Sequence, residues 1–227
     1  MTLRVEFLGP PAVGKTTLAT AVCERLDSAG HPCRLPTTRL AGQPRWRRIP
    51  TKAALASGHA VRAPTQTLAH LRAIAGTDQQ TIDDFLRVAF NWQFVCGLHT
   101  RGGDGVVLLD QGVFQALWSI GWRASDWAAV RALALSPSLL PDILVVLTAE
   151  QATIRERLAT REGGDTRVDP ADIGRAQVGI DHVHTLAEEY ERALGRPATL
   201  LGDTTEPGPT EGVVDHIAEA IEQSLDS

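Results

Sequence analysis

Gly9-Pro-Pro-Ala-Val-Gly14-Lys15-Thr16 is the stretch that decides how this chain is read. It fits G-x-x-x-x-G-K-[ST], and it lies between an alternating apolar run, Leu3 to Leu8, and a helical segment from Lys15 to about Ser28. A strand feeding a glycine-rich turn that opens a helix is the context in which this spacing has a mechanism. Glycines let the backbone curl until successive N–H groups face a phosphate, and the helix N-terminus adds its partial positive charge. Gly9, Ala12, Val13 and Gly14 are therefore the expected cradle. Lys15 offers a mobile point charge to the β- and γ-phosphates, the Thr16 hydroxyl is placed to ligate Mg2+, and Thr17 to donate to the α-phosphate. ATP and Mg2+ are the cofactors this loop calls for.

Working outward, Gly105–Asp110 and Asp142–Leu147 are continuous apolar runs, the pattern of strands buried on both faces of a parallel sheet. Shorter strand candidates lie at 31–35 and 198–201. Helical periodicity follows over 64–75, 78–97, 112–121, 150–160, 170–194 and 210–225, whereas 36–62 is poorly periodic and rich in Arg, Pro and Gly. On the 78–97 helix, Ile82, Phe85, Leu86, Ala89, Phe90 and Phe94 are expected to share the buried face. Strands separated by helices predict an α/β, doubly wound parallel sheet with right-handed crossovers. Ligands bind beyond the carboxyl ends of such strands, where Gly9 and Asp110 both fall.

The 227 residues carry 22 basic and 27 acidic side chains, a formal charge of −5, and only Lys15 and Lys52 are lysines. That length predicts a single domain over 1–227, and 43% apolar residues exclude a wholly disordered chain. The acidic balance argues against a nucleic-acid partner. Three cysteines at 23, 33 and 96 form no disulfide framework and match no zinc spacing, which points to a reducing compartment. The N-terminal MTLRVEFLGP has no long apolar segment, so a cytoplasmic protein without a membrane partner is expected.

Asp110 closes an apolar strand, the pattern of the acidic residue that orients Mg2+ together with Thr16; capping of the next helix would suit the same position. Gln111, not Glu, follows it, and neither N-K-x-D nor S-G-G-Q occurs. A transferase is therefore favoured over a hydrolytic motor or a GTPase switch. Arg155, Arg157, Arg161 and Arg167 cluster across a helix end and a Gly-Gly loop, a candidate lid over about 157–170. Arginine's planar fork binds phosphate oxygens bidentately, and a loop carrying it can close over a transferring phosphoryl group. A solvated helix face, with Glu156 and Glu162 as partners, is the plainer alternative, and Arg155 is its best member.

On GPPAVGKTT at 9–17, VVLLDQG at 106–112 and DILVVLTAEQATIRERLATREGGDTR at 142–167, the chain resembles the thymidylate kinase and deoxynucleoside kinase branch of the P-loop kinases. The resemblance implies a three-layer P-loop NTPase fold, a five-stranded parallel sheet flanked by helices, with a lid segment. It also implies a catalytic set of Lys15, Asp110, Arg161 and Arg167, with Arg157 on the nucleotide phosphates and the loop near Gly202 to Pro207 bordering the adenine. Two departures stand out. The family's Asp-Arg-Tyr is Asp110-Gln111-Gly112 here, and the acidic motif after the second strand is Pro36-Thr-Thr-Arg39-Leu40. FNWQF at 90–94 also lacks the family's acceptor-binding arginine.

The donor half thus looks intact and the acceptor half altered. The expected reaction is ATP-dependent phosphoryl transfer to a small molecule, a nucleoside or nucleotide, with an acceptor that need not carry a phosphate. An antibiotic or natural-product hydroxyl, or a nucleotide sensor without transfer, are the alternatives. Acceptor candidates within or beside a helical region at about 36–97 are Arg39, Trp92, Gln93 and Gln111, with Arg45, Arg47, Arg48 and Arg123 as substitute cations. Trp118, Trp122 and Trp127 read as core, as the surface of a homodimer, or as the wall of an acceptor pocket. His182 and His184 read as solvated.

Overall fold

A computed structural model describes residues 2–101, 104–122, 124, 126, 139–159, 176–195, 199–205 and 211–225. Its strands are β1 (Thr2–Leu8), β2 (Cys33–Arg34), β3 (Gly105–Leu109), β4 (Ile143–Thr148) and β5 (Thr199–Asp203). They form one sheet in the order β2-β3-β1-β4-β5, and every pairing is parallel. The central position of β1 follows from its composition. Leu3, Val5 and Phe7 point to one face and Leu8 to the other, all buried, so both faces need helices.

On one face lie α1 (Lys15–Ser28) and the C-terminal α9 (Glu211–Leu225), which pack Leu18, Val22, Leu26, Ile217 and Ile221 against Val5, Phe7, Leu108 and Val145. On the other lie α5 (Ile82–His99), α6 (Val113–Gly121) and α8 (Ala176–Leu194), with Trp92, Phe114, Leu117 and Tyr190 against Leu8, Leu144 and Val146. A further helix, α7 (Gln151–Ala159), follows β4. This is the three-layer α/β architecture expected, with five parallel strands between helices. No described helix is long and apolar enough to cross a membrane.

Two local expectations need correction further along; residues 36–62 are the helices α2 (Pro36–Ala41) and α3 (Arg45–Arg62). Their periodicity is faint because α3 buries only Ala56 and His59 and carries Pro50, which removes one ladder bond. The helix expected from 78 starts at Ile82. Thr81 caps it, accepting from the Asp84 N–H at 3.0 Å while its hydroxyl donates to the Asp84 carboxylate at 2.7 Å. Its buried face is only in part the one expected: Ala89 and Phe94 are inside together with Val88, Trp92, Val95 and Cys96, while Ile82 and Leu86 are 78% and 58% exposed and Phe90 is exposed too.

The reason is the neighbour. α5 packs on α3, α4 (Pro64–Gly76) and α6, and Gly97 sets how closely. A Cβ at Gly97 would lie 2.3 Å from the Leu55 carbonyl oxygen, so the two backbones touch where no side chain fits. Trp118 and Trp122 stack with centroids 5.0 Å apart, and the Trp118 indole N–H donates to the Gly179 carbonyl at 2.8 Å. Both are buried core between α6 and α8; Trp127 lies outside the described residues.

Candidate active site

The phosphate loop is shaped by what each residue can tolerate. A Cβ on Gly9 would lie 2.9 Å from both the Leu147 carbonyl oxygen and Val13 Cγ1, so the strand end admits only glycine. Gly14, at φ 98°, adopts the left-handed backbone that lets α1 begin at Lys15, and Ala12 also has positive φ, at 63°. Val13 is wholly buried and anchors the loop from below. Lys15 Nζ donates to the carbonyls of Gly9 at 2.8 Å and Pro10 at 2.9 Å, and Thr16 and Thr17 expose their hydroxyls on the first turn.

Register brings the second strand end alongside. Glu6 of β1 is paired with Leu109 of β3, so Gly9 and Asp110 emerge on adjacent strands at the same edge of the sheet. Asp110 is buried, and its carboxylate accepts from Thr16 Oγ1 at 2.6 Å and from Thr37 Oγ1 on α2. The capping alternative fails, because α6 is capped by Gly112 without a side chain. Two threonine hydroxyls around one carboxylate make a cluster of hard oxygens, which suits Mg2+ rather than a soft metal. The residues present fit that ion, with Thr16 and Asp110 to hold it. Thr37 was not foreseen; its only trace in the sequence is the Pro36-Thr-Thr run in place of a carboxylate.

Glu6 is the second unforeseen group. It lies on the same face of β1 as Leu8, fully buried, with Oε1 accepting from the Gln115 N–H at 2.8 Å and Oε2 without a partner. Gln115 in turn accepts from the Gly9 N–H at 3.4 Å, so the carboxyl, α6 and the phosphate loop are linked. Burial raises the Glu6 pKa to about 8, against the pull of the N–H groups of Gln115, Phe114 and Val113 at the start of α6. A Cβ on Gly112 would stand 2.3 Å from Glu6 Cδ. Glu6 therefore occupies the space that a side chain at 112 would need.

This burial has a pH signature. Unfolded, the carboxyl ionises near 4.5; folded, it holds its proton to about 8. Between those values the folded chain binds the extra proton, so stability is full below about 4.5, falls as pH rises, and levels off above about 8. Glu6→Gln should flatten that slope, worth on the order of a few kcal/mol. Denaturant melts from about pH 5 to 8.5 read it; equal slopes in both proteins would refute the assignment.

The loop after β5 closes the donor side. The Thr204 hydroxyl donates to the carbonyls of Val13 and Thr148, and Arg157 donates to the carbonyls of Thr204 at 2.7 Å and Thr205 at 3.3 Å. The loop that was to border the base thus braces both the phosphate loop and α7. Of the acceptor candidates, Gln111 and Arg39 are exposed beside Asp110 and Thr37 in sequence. Trp92 is fully buried, edge-on to His70 at 5.3 Å, and the buried Gln93 accepts from Thr67 at 3.3 Å. Arg123, Arg161 and Arg167 lie outside the described residues.

Among solved structures, shikimate kinase from Bacteroides thetaiotaomicron is similar at 11% identity and a TM-score of 0.47, covering 99% of each chain. Deoxyadenosine kinase from M. mycoides with bound dCTP is similar at 10% identity and a TM-score of 0.45, covering 97% of this chain and 100% of that one. Neither likeness is close enough to transfer a substrate, and no curated protein matches the sequence. The family match is broader: residues 5–179 fit the AAA domain family (AAA_33) and so include the phosphate loop, Asp110 and Arg157. With that match over more than half of the chain, the family to which it belongs is the AAA domain family.

Proposed function

We propose that this chain is an ATP- and Mg2+-dependent phosphotransferase acting on a small-molecule acceptor, a nucleoside or nucleotide. The observation that carries the reading is Asp110, buried at the strand end beside Gly9 and joined to Thr16 and Thr37. The bond from Thr37 ties that carboxylate to α2, in the helical region expected on the acceptor side. When bound, Mg2+ supplies charge neutralisation between the phosphates. Lys15 exchanges the carbonyls of Gly9 and Pro10 for phosphate oxygens, and the backbone N–H groups around Gly14 hold the chain of phosphates in place. Asp110, at the carboxyl end of β3, would accept the acceptor's hydroxyl proton as the new O–P bond forms and the γ-phosphorus bond to the departing ADP oxygen breaks.

Of the two, the nucleoside, an acceptor without a phosphate, is favoured. Glu6 fills the volume next to Gly112, and a buried carboxyl there does nothing to attract a second anion. A cytoplasmic setting is supported by three free, buried thiols, and the homodimer proposed for the chain would use the exposed Ile82, Leu86 and Phe90 of α5. ATP turnover measured against nucleosides, nucleoside monophosphates and other hydroxylated metabolites tests the function. Acceptor-dependent ADP release with unphosphorylated nucleosides is the expected result. Activity confined to monophosphates would overturn the acceptor assignment, and turnover independent of acceptor would overturn the transferase itself.

A further inference from the structure

Away from the phosphate loop, three buried side chains from three helices converge: His59 of α3, His70 of α4 and Cys96 of α5. Each offers one ligand atom, and these atoms lie within 4.8 Å of one another. His59 Nε2 and His70 Nδ1 have no hydrogen-bond partner although both residues are more than nine-tenths buried. An orphaned buried polar atom is costly, and here two residues that each carry one converge with a thiol. Neutral imidazole is the ligand form, and burial lowers the pKa of both histidines, holding them neutral.

We propose that His59, His70 and Cys96 bind one zinc(II) ion that ties α3, α4 and α5 together. Two imidazoles and a thiol suit a borderline-soft cation and not Mg2+ or Ca2+. Tetrahedral zinc, at about 2.0–2.1 Å from nitrogen and about 2.3 Å from sulfur, needs ligand atoms about 3.3–3.7 Å apart. Side-chain rotations closing the present triangle by about 1 Å reach that. On binding, the Cys96 S–H proton leaves to solvent and the sulfur coordinates as thiolate.

The surroundings agree. The bare backbone of Gly97 lets α3 approach α5, and its own Cβ would fall 3.4 Å from His59 Cβ. The edge-on Trp92 ring fixes the plane of His70. Spacing alone hides this site, because its ligands come from separate helices, 11 and 26 residues apart in sequence.

The test uses the tag-free, full-length chain, stripped with a chelator and titrated with zinc chloride against a chromophoric competitor. One zinc per chain is expected, with a melting temperature raised by roughly 5–10 °C at a hundredfold excess of free zinc over Kd. His59→Asn and Cys96→Ala should weaken binding more than about 100-fold, beyond the 10–100-fold typical of outer-shell changes; Cys23→Ala should not. Cobalt(II) should give a thiolate charge-transfer band in the native chain and in Cys23→Ala but not in Cys96→Ala. Should the ligand variants fail to fold, alkylation of the native chain decides, zinc slowing the reaction of Cys96 and sparing that of Cys23 and Cys33. Absence of stoichiometric uptake, a cobalt complex without thiolate absorption, copper(I) binding without zinc binding, or no protection of Cys96 each overturns the site.

Discussion

Lys15→Ala is expected to lower the rate of phosphoryl transfer by about 100- to 1000-fold, the cost of removing one preorganised charge from a developing anion. The fold should survive. Lys15 is only partly buried, and its ammonium holds the carbonyls of Gly9 and Pro10. The loop keeps its other supports, which are Val13 in the core and the Thr204 hydroxyl bonded to the Val13 carbonyl. The measurement is kcat beside a thermal melt. A rate within a few-fold of the parent, with the melt unchanged, would remove the phosphate loop from the mechanism.

Asp110→Asn is expected to cost about 100- to 10,000-fold in kcat, the range for losing a positioned proton acceptor. The substitution keeps the shape and removes the charge. One of its two acceptor positions becomes an amide N–H2, so either Thr16 or Thr37 loses its acceptor. An unpaired buried hydroxyl adds an expected stability loss of about 1–3 kcal/mol. Two readouts separate the roles. A raised magnesium requirement marks Asp110 as a holder of the ion, and a kcat that stays low at saturating magnesium marks it as the base. A variant with parental kcat and magnesium requirement would show that the carboxylate only holds threonines.

What could be read in advance divides by how local its cause is. The phosphate loop is set by neighbours in the chain: the glycine at φ 98°, the lysine after it and the helix that follows. The buried strands β3 and β4 declare themselves because every side chain along most of β4 is apolar. Thr204, Thr37 and Glu6 act through partners 191, 73 and 109 residues away, and nothing near them in sequence records those contacts. α3 is faint in the sequence because its buried side is two residues, one of them a histidine, and because Pro50 reads as a break. The face of α5 was misjudged by following aromatic rings. Ile82 and Leu86 are as apolar as the residues inside, and only the approach of α3 at Gly97 decides which stripe is covered.

The contact between Glu6 and Gly112 constrains how this sequence can drift. With the carboxyl carbon standing 2.3 Å from where a Cβ at 112 would be, a side chain there requires the buried Glu6 carboxyl to move. Shortening residue 6 first leaves room that residue 112 can then fill, so the two positions are coupled and the order of substitution matters.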